Sequence, residues 1–107
     1  MAREINAAEY HAEVVGSPVP VLLDVYGEHC PPCRQLAPVI EKLAAQYEGR
    51  ARVLKLEAGA NRELAGRLAI SSVPTVLAFQ AGREVGRLVG LRPEPAYHKL
   101  LGAAGVS

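Results

Sequence analysis

Tryptophan is absent from this chain of 107 residues, phenylalanine and methionine occur once each, and cysteine only twice. A core built from such a chain has to be aliphatic, and a scaffold of several disulfides is excluded. Charge imbalance is missing as well. Twelve basic side chains face 11 acidic ones, a formal net charge of +1, so neither a nucleic-acid nor a membrane partner is indicated. Long apolar runs are lacking too: Pro18, Pro20 and Asp24 interrupt the most hydrophobic stretch, and nothing approaches the roughly 20 residues of a membrane-spanning helix. Met1 to Ile5 do not combine a charged segment with an apolar one, so no secretory leader is expected and the cytoplasm is the expected compartment. Two cysteines in a chain of this kind point to catalysis or metal binding rather than to a structural staple.

What is present suffices for one folded unit. Half of the residues are apolar and 21% are charged, the balance of a globular chain long enough to bury its own core. Residues 1–107 are read as a single domain without repeat, linker or low-complexity tract. A short strand is expected around Ile5, then a helix over Ala7 to Val14 with Asn6 as cap and Glu9 completing a capping box. Gly16-Ser17-Pro18 ends it. Val19 to Tyr26 is nearly all apolar, the pattern of a strand covered on both faces. An amphipathic helix follows to about Glu48, with Leu36, Ile40, Leu43 and Tyr47 on one stripe, a kink expected at Pro38 and Gly49 as the stop.

Arg52 to Glu57 reads as another strand, and Asn61 as the cap of a helix through Leu68. Thr75 to Gln80 and Glu84 to Val89 flank Ala81-Gly82-Arg83 as a hairpin, and Glu94 to Leu101 forms a closing helix. The order β-α-β-α-β-α-β-β-α makes an α/β fold. Its central mixed sheet combines a parallel βαβ half with an antiparallel hairpin and carries helices on both faces.

The chemistry concentrates at Cys30-Pro31-Pro32-Cys33. Strand–turn–helix placement sets Cys30 at a helix N-terminus, where unpaired amides and the helix dipole favour a thiolate. A thiolate is the form that attacks disulfides. Asp24 lies six residues earlier in the apolar strand. A buried carboxyl there has a raised pKa unless it is paired, and can pass a proton to and from the second cysteine; the plainer reading is an Asp bonded to backbone or to a lysine. Lys55, in the next strand, is either its charge partner or a solvent-facing lysine. Val73-Pro74 precedes a strand at a position where a cis peptide can occur.

At matching positions and spacing, the segment from Asp24 through Cys33 resembles the thioredoxin family. So do Ala37-Pro38, Lys55-Leu56, Val73-Pro74-Thr75, Ala81-Gly82 and Val89-Gly90. The resemblance spans roughly Val19 to Leu101. It implies a thioredoxin fold with Pro74 cis and facing the dithiol, and protein-disulfide reduction without a cofactor. Cys30 would attack, Cys33 would resolve, Asp24 would be the buried acid/base and Lys55 its neighbour. Val73, Pro74 and Gly90 would form the apolar rim that holds substrate, Val73 offering backbone hydrogen bonds, with Tyr26 beside it. Implied partners are protein disulfides and an upstream disulfide reductase such as a thioredoxin reductase, the chain acting as a monomer.

Two departures bear on tuning. The family usually has Gly-Pro between the cysteines and Trp before the first; here Pro31 and His29 stand in those places, and Tyr26 occupies a second position where Trp is common. Pro31 removes an amide that a Cys30 thiolate could use, while a protonated His29 would stabilise that thiolate. The two effects oppose each other. Three rival readings follow from the same residues. A metal module would use Cys30 and Cys33 with His11, His29 or His98; a non-enzymatic binding subunit would use the Val73–Pro74 rim; an oxidant or isomerase would use the same dithiol in the other direction.

Overall fold

Val21–Tyr26 is the middle strand of a five-stranded sheet, buried on both faces, and the placement of the cysteines follows from it. The computed structural model describes residues 1–106. In chain order the strands are β1 (Arg3–Glu4), β2 (Val21–Tyr26), β3 (Arg52–Glu57), β4 (Thr75–Gln80) and β5 (Arg83–Val89). The helices are α1 (Ala7–Tyr10), α2 (Pro31–Gln46), α3 (Arg62–Arg67) and α4 (Glu94–Ala103). Across the sheet the order is β1-β3-β2-β4-β5. β1, β3 and β2 run parallel, β4 is antiparallel to β2, and β5 closes the hairpin with β4. This is the mixed sheet of the thioredoxin fold.

Alternation along β2 divides the core. Leu22 packs with Leu36, Ile40 and Leu43 of α2 and with Tyr97 and Leu101 of α4. Val21, Leu23 and Val25 join Val14, Leu64 and Phe79 in the cluster on the opposite face. Asp24, two residues beyond Leu22, therefore projects to the α2 side. That is the side on which α2, with Cys33 in its first turn, packs.

Several boundaries differ from the sequence expectation for local reasons. β2 starts at Val21 rather than Val19, because Pro20 has no amide to donate; only its carbonyl reaches the ladder, accepting from Arg52 N–H at 2.9 Å. Asn6 and Glu9 form the expected capping box, but α1 widens after Tyr10 into a π-helical turn, His11–Val15. α2 ends at Gln46 and runs through Pro38 as one helix. Asn61 does not cap α3 with its side chain. Its Oδ1 accepts from Ala7 N–H at 2.8 Å and its Nδ2 donates to the Glu57 carbonyl at 2.9 Å, tying α1 to the β3–α3 loop. The hairpin turn is two residues long, Ala81 and Gly82, both with positive φ (52° and 79°), so Arg83 already belongs to β5.

Candidate active site

Cys30 is the N-cap of α2, with extended backbone dihedrals. Pro31 and Pro32 occupy the first two helical positions, where an amide hydrogen would have no intrahelical partner, and their ring geometry suits the first turn. Cys33 is the third position, and its N–H donates to Cys30 Sγ at 3.2 Å. The two cysteines are joined by a disulfide, their Cα atoms 5.2 Å apart. Both are buried, Cys30 at 8% and Cys33 at 5% exposure, while Pro31 and Pro32 lie open to solvent. The amide that reaches Cys30 is thus one that Pro31 does not remove.

Cys30 looks toward the β4 side. Its Sγ is 3.8 Å from the carbonyl oxygen of Val73, and the Val73–Pro74 peptide is cis. Pro74 is held in turn from the other direction. Its carbonyl accepts from Gly90 N–H at 2.8 Å, and Gly90 has a φ of +81°, a conformation that glycine adopts without strain. Val89 and Leu91, flanking Gly90, are 43% and 42% exposed. Gly27 keeps the dithiol and Val73 close: a Cβ there would stand 3.1 Å from Val73 Cγ2 and 3.6 Å from Cys30 Cβ. His29 is exposed and lines an open groove with Glu28, Glu57 and Val73.

Cys33 faces the other way. It shares a cavity of about 180 Å³ with Asp24, Tyr26, Gly27, Glu28, Arg34, Ala37 and Lys55. Asp24 is 3% exposed, and its Oδ1 has no hydrogen-bond partner in the protein. Burial raises its pKa to about 7; the Lys55 ammonium opposes that rise and the Glu4 carboxylate adds to it. The cavity has the volume for water between the carboxyl and Cys33.

Asp24 and Lys55 are register partners on adjacent parallel strands, yet they do not form an ion pair. Lys55 Nζ lies instead 3.4 Å from Glu41 Oε2, and Glu41 Oε1 accepts from Ala2 N–H at 2.7 Å. The expected charge partner of Asp24 is therefore bound elsewhere, although its field still reaches the carboxyl. Tyr26 is also engaged: its hydroxyl donates to Glu4 Oε1 at 2.7 Å, and its side chain lines the cavity that holds Asp24. Glu41 and Glu4 did not stand out in the sequence. The first could have been found by spacing, since Cys33, Ala37 and Glu41 recur every fourth residue and so share one face of α2. The second follows only from the β1–β3 register, which sets Glu4 against Lys55. Among the described residues no three His, Cys, Asp or Glu side chains group as metal ligands would.

Comparison with known proteins gives one family. The family model described as Thioredoxin matches residues 1–102. Thioredoxin 1 of Nostoc sp. is 36% identical over 100 residues, 94% of either chain. The Thioredoxin of Rickettsia bellii is 37% identical over 91 residues, 85% of this chain and 87% of that one. A Bifunctional thioredoxin reductase/thioredoxin of Mycobacterium leprae is 37% identical over 93 residues, which cover 87% of this chain and 20% of the larger protein.

Proposed function

This chain belongs to the thioredoxin family and is a thiol–disulfide oxidoreductase that reduces protein disulfides, and from that premise we propose how its residues divide the reaction. The Cys30 thiolate attacks one sulfur of a substrate disulfide. That S–S bond breaks, one substrate thiolate leaves, and a Cys30–substrate mixed disulfide forms. Cys33 gives its proton to the Asp24 carboxylate and attacks Cys30 Sγ. The mixed disulfide breaks, the second substrate thiolate leaves, and the Cys30–Cys33 disulfide remains; two electrons have passed to the substrate, and the departing thiolates take up protons. Val73, Pro74 and Gly90 receive the substrate segment beside Cys30, the Val73 backbone pairing with an extended peptide. Lys55 serves the Asp24 side, and Tyr26, which lines the same cavity with its hydroxyl on Glu4, borders the substrate rim as well.

The observation that carries this reading is the opposed outlook of the two sulfurs. Cys30 lies against Val73 at 3.8 Å, where a substrate peptide can reach, while Cys33 opens on the cavity that holds the unpartnered Asp24. An attacking thiol needs access and a resolving thiol needs a base. The upstream electron donor is proposed to be a disulfide reductase of the thioredoxin reductase type, because one relative is named as carrying both in a single chain. Residues 1–107 are proposed to act as one domain and as a monomer, in the cytoplasm; no helix among the described residues is long and apolar enough to cross a membrane.

The test is turnover of a protein disulfide such as that of insulin, with catalytic amounts of protein and dithiothreitol as electron source. Cys30→Ser is expected to bring the rate down to the uncatalysed background. Turnover persisting in that variant would contradict the assignment.

A further inference from the structure

Two carboxylates compete for one ammonium beside the dithiol. Lys55 and Asp24 are register partners on neighbouring parallel strands, so their side chains leave the same face of the sheet. A lysine in that position can reach an adjacent carboxyl. Its Nζ lies instead against Glu41 Oε2, at 3.4 Å. Glu41 is itself fixed, because Oε1 accepts from Ala2 N–H at 2.7 Å, and this backbone bond, with the Lys55 ammonium, lowers the carboxyl's pKa against the effect of burial. Its place on α2 is two turns beyond Cys33, on the same face, with Ala37 between them lining the cavity wall. Lys55 is thereby anchored on the flank of the cavity, and Asp24 Oδ1 is left without a partner.

We propose that Glu41 is a positioning residue for disulfide exchange, holding the Lys55 ammonium off Asp24 so that the buried carboxyl stays free to exchange a proton with Cys33. The proposal rests on the acid/base reading of Asp24 given above. An ammonium in direct contact would stabilise the carboxylate and make it a poor base for a thiol. Held by Glu41, the same ammonium acts on Asp24 only through its field, in opposition to burial. The other groups that face the carboxyl are Glu4 from β1, Tyr26 on its own strand, Cys33 from α2 and Tyr97 from α4. Glu28 and Arg34 complete the charged part of the cavity wall. None of these takes the Lys55 ammonium.

The experiment is a cycle of Glu41→Gln, Lys55→Met and the double variant. Asp24 is titrated by carboxyl ¹³C NMR in the oxidised proteins, and the pH profile of protein-disulfide reduction is measured in parallel. Glu41→Gln, which keeps the shape and loses the charge, is expected to release Lys55 toward Asp24 and lower the Asp24 midpoint by roughly one pH unit or more. The activity profile should move to lower pH with it. In the Lys55→Met background the same glutamine substitution should leave both unchanged, which separates loss of the ion pair from a direct field effect of Glu41. An Asp24 midpoint that does not move in Glu41→Gln, or moves equally without Lys55, overturns the proposal and leaves the role of Asp24 standing. A midpoint that moves while the activity profile stays fixed overturns the acid/base reading itself, and the proposal with it.

Discussion

The amide of Cys33 donates to Cys30 Sγ across 3.2 Å, so the first cysteine caps the helix whose first turn contains the second. Sulfur takes the place of the Ser, Thr, Asp or Asn oxygen that ordinarily accepts from the third helical amide. Once the disulfide opens, that amide and the positive end of the α2 dipole meet the Cys30 thiolate directly. Pro31 and Pro32 fill the two intervening positions without weakening this contact.

Pro31→Gly is accordingly expected to cost stability rather than to retune the thiol. The unfolded chain gains freedom when the ring is lost, a destabilisation of about 0.4–1 kcal/mol. The amide that bonds Cys30 is unchanged. Thiolate absorbance near 240 nm against pH should give a Cys30 titration within about half a unit of the parent, and urea unfolding a lower midpoint. A fall in the Cys30 midpoint by a unit or more would mean that the amide gained at position 31 matters after all.

Asp24 makes the stability of the oxidised protein depend on pH, and the sign follows from its raised pKa. In the unfolded chain it ionises near its ordinary value of 3.8, whereas in the folded protein it holds its proton to about 7. Between these values the folded state binds more protons, so the contribution of Asp24 falls as pH rises through that window, by up to about 4 kcal/mol in total. Asp24→Asn removes the titration while keeping the shape. Chemical unfolding of the oxidised proteins should show the variant gaining on the parent as pH rises from about 4 to about 7, then a constant gap. A gap independent of pH would contradict a buried, unpaired carboxyl.

Gly27 sets the spacing between the dithiol and the Val73–Pro74 turn. A methyl group there would press on Val73 Cγ2 at 3.1 Å, so Val73 has to yield by a few tenths of an ångström. Gly27→Ala is expected to cost about 1 kcal/mol, as overpacking does at its mild end, and to slow protein-disulfide reduction a few-fold. Oxidation of the pair by a small disulfide, which needs no peptide contact, should be much less affected. Equal slowing of both reactions would place the effect in the dithiol itself.

The elements around the site were legible in the sequence where one signal dominated. The apolar run of β2, the Leu36–Ile40–Leu43 stripe of α2 and the Ala81-Gly82 turn each call for a single local structure. The capping box of α1 was legible too, but the π-helical turn after it was not, since nothing in His11–Val15 departs from ordinary helical spacing. Asn61 reads as a cap from its neighbours alone; its true partners, Ala7 and Glu57, come together only when β1 is laid beside β3. The pairing of Lys55 was open for the same reason. Strand register names Asp24 as its neighbour, and only the rise of α2 over the sheet brings Glu41 within reach.

The roles of the two cysteines are tested most directly by trapping. Cys33→Ser, reduced and mixed with a protein disulfide, is expected to accumulate a covalent adduct through Cys30, visible by mass spectrometry and reversed by excess dithiothreitol. Cys30→Ser under the same conditions should give none, because Cys33 opens on the Asp24 cavity rather than toward Val73, where the substrate segment is received. An adduct that forms through Cys33 instead, or fails to form on Cys30, would contradict the order of attack and resolution described here.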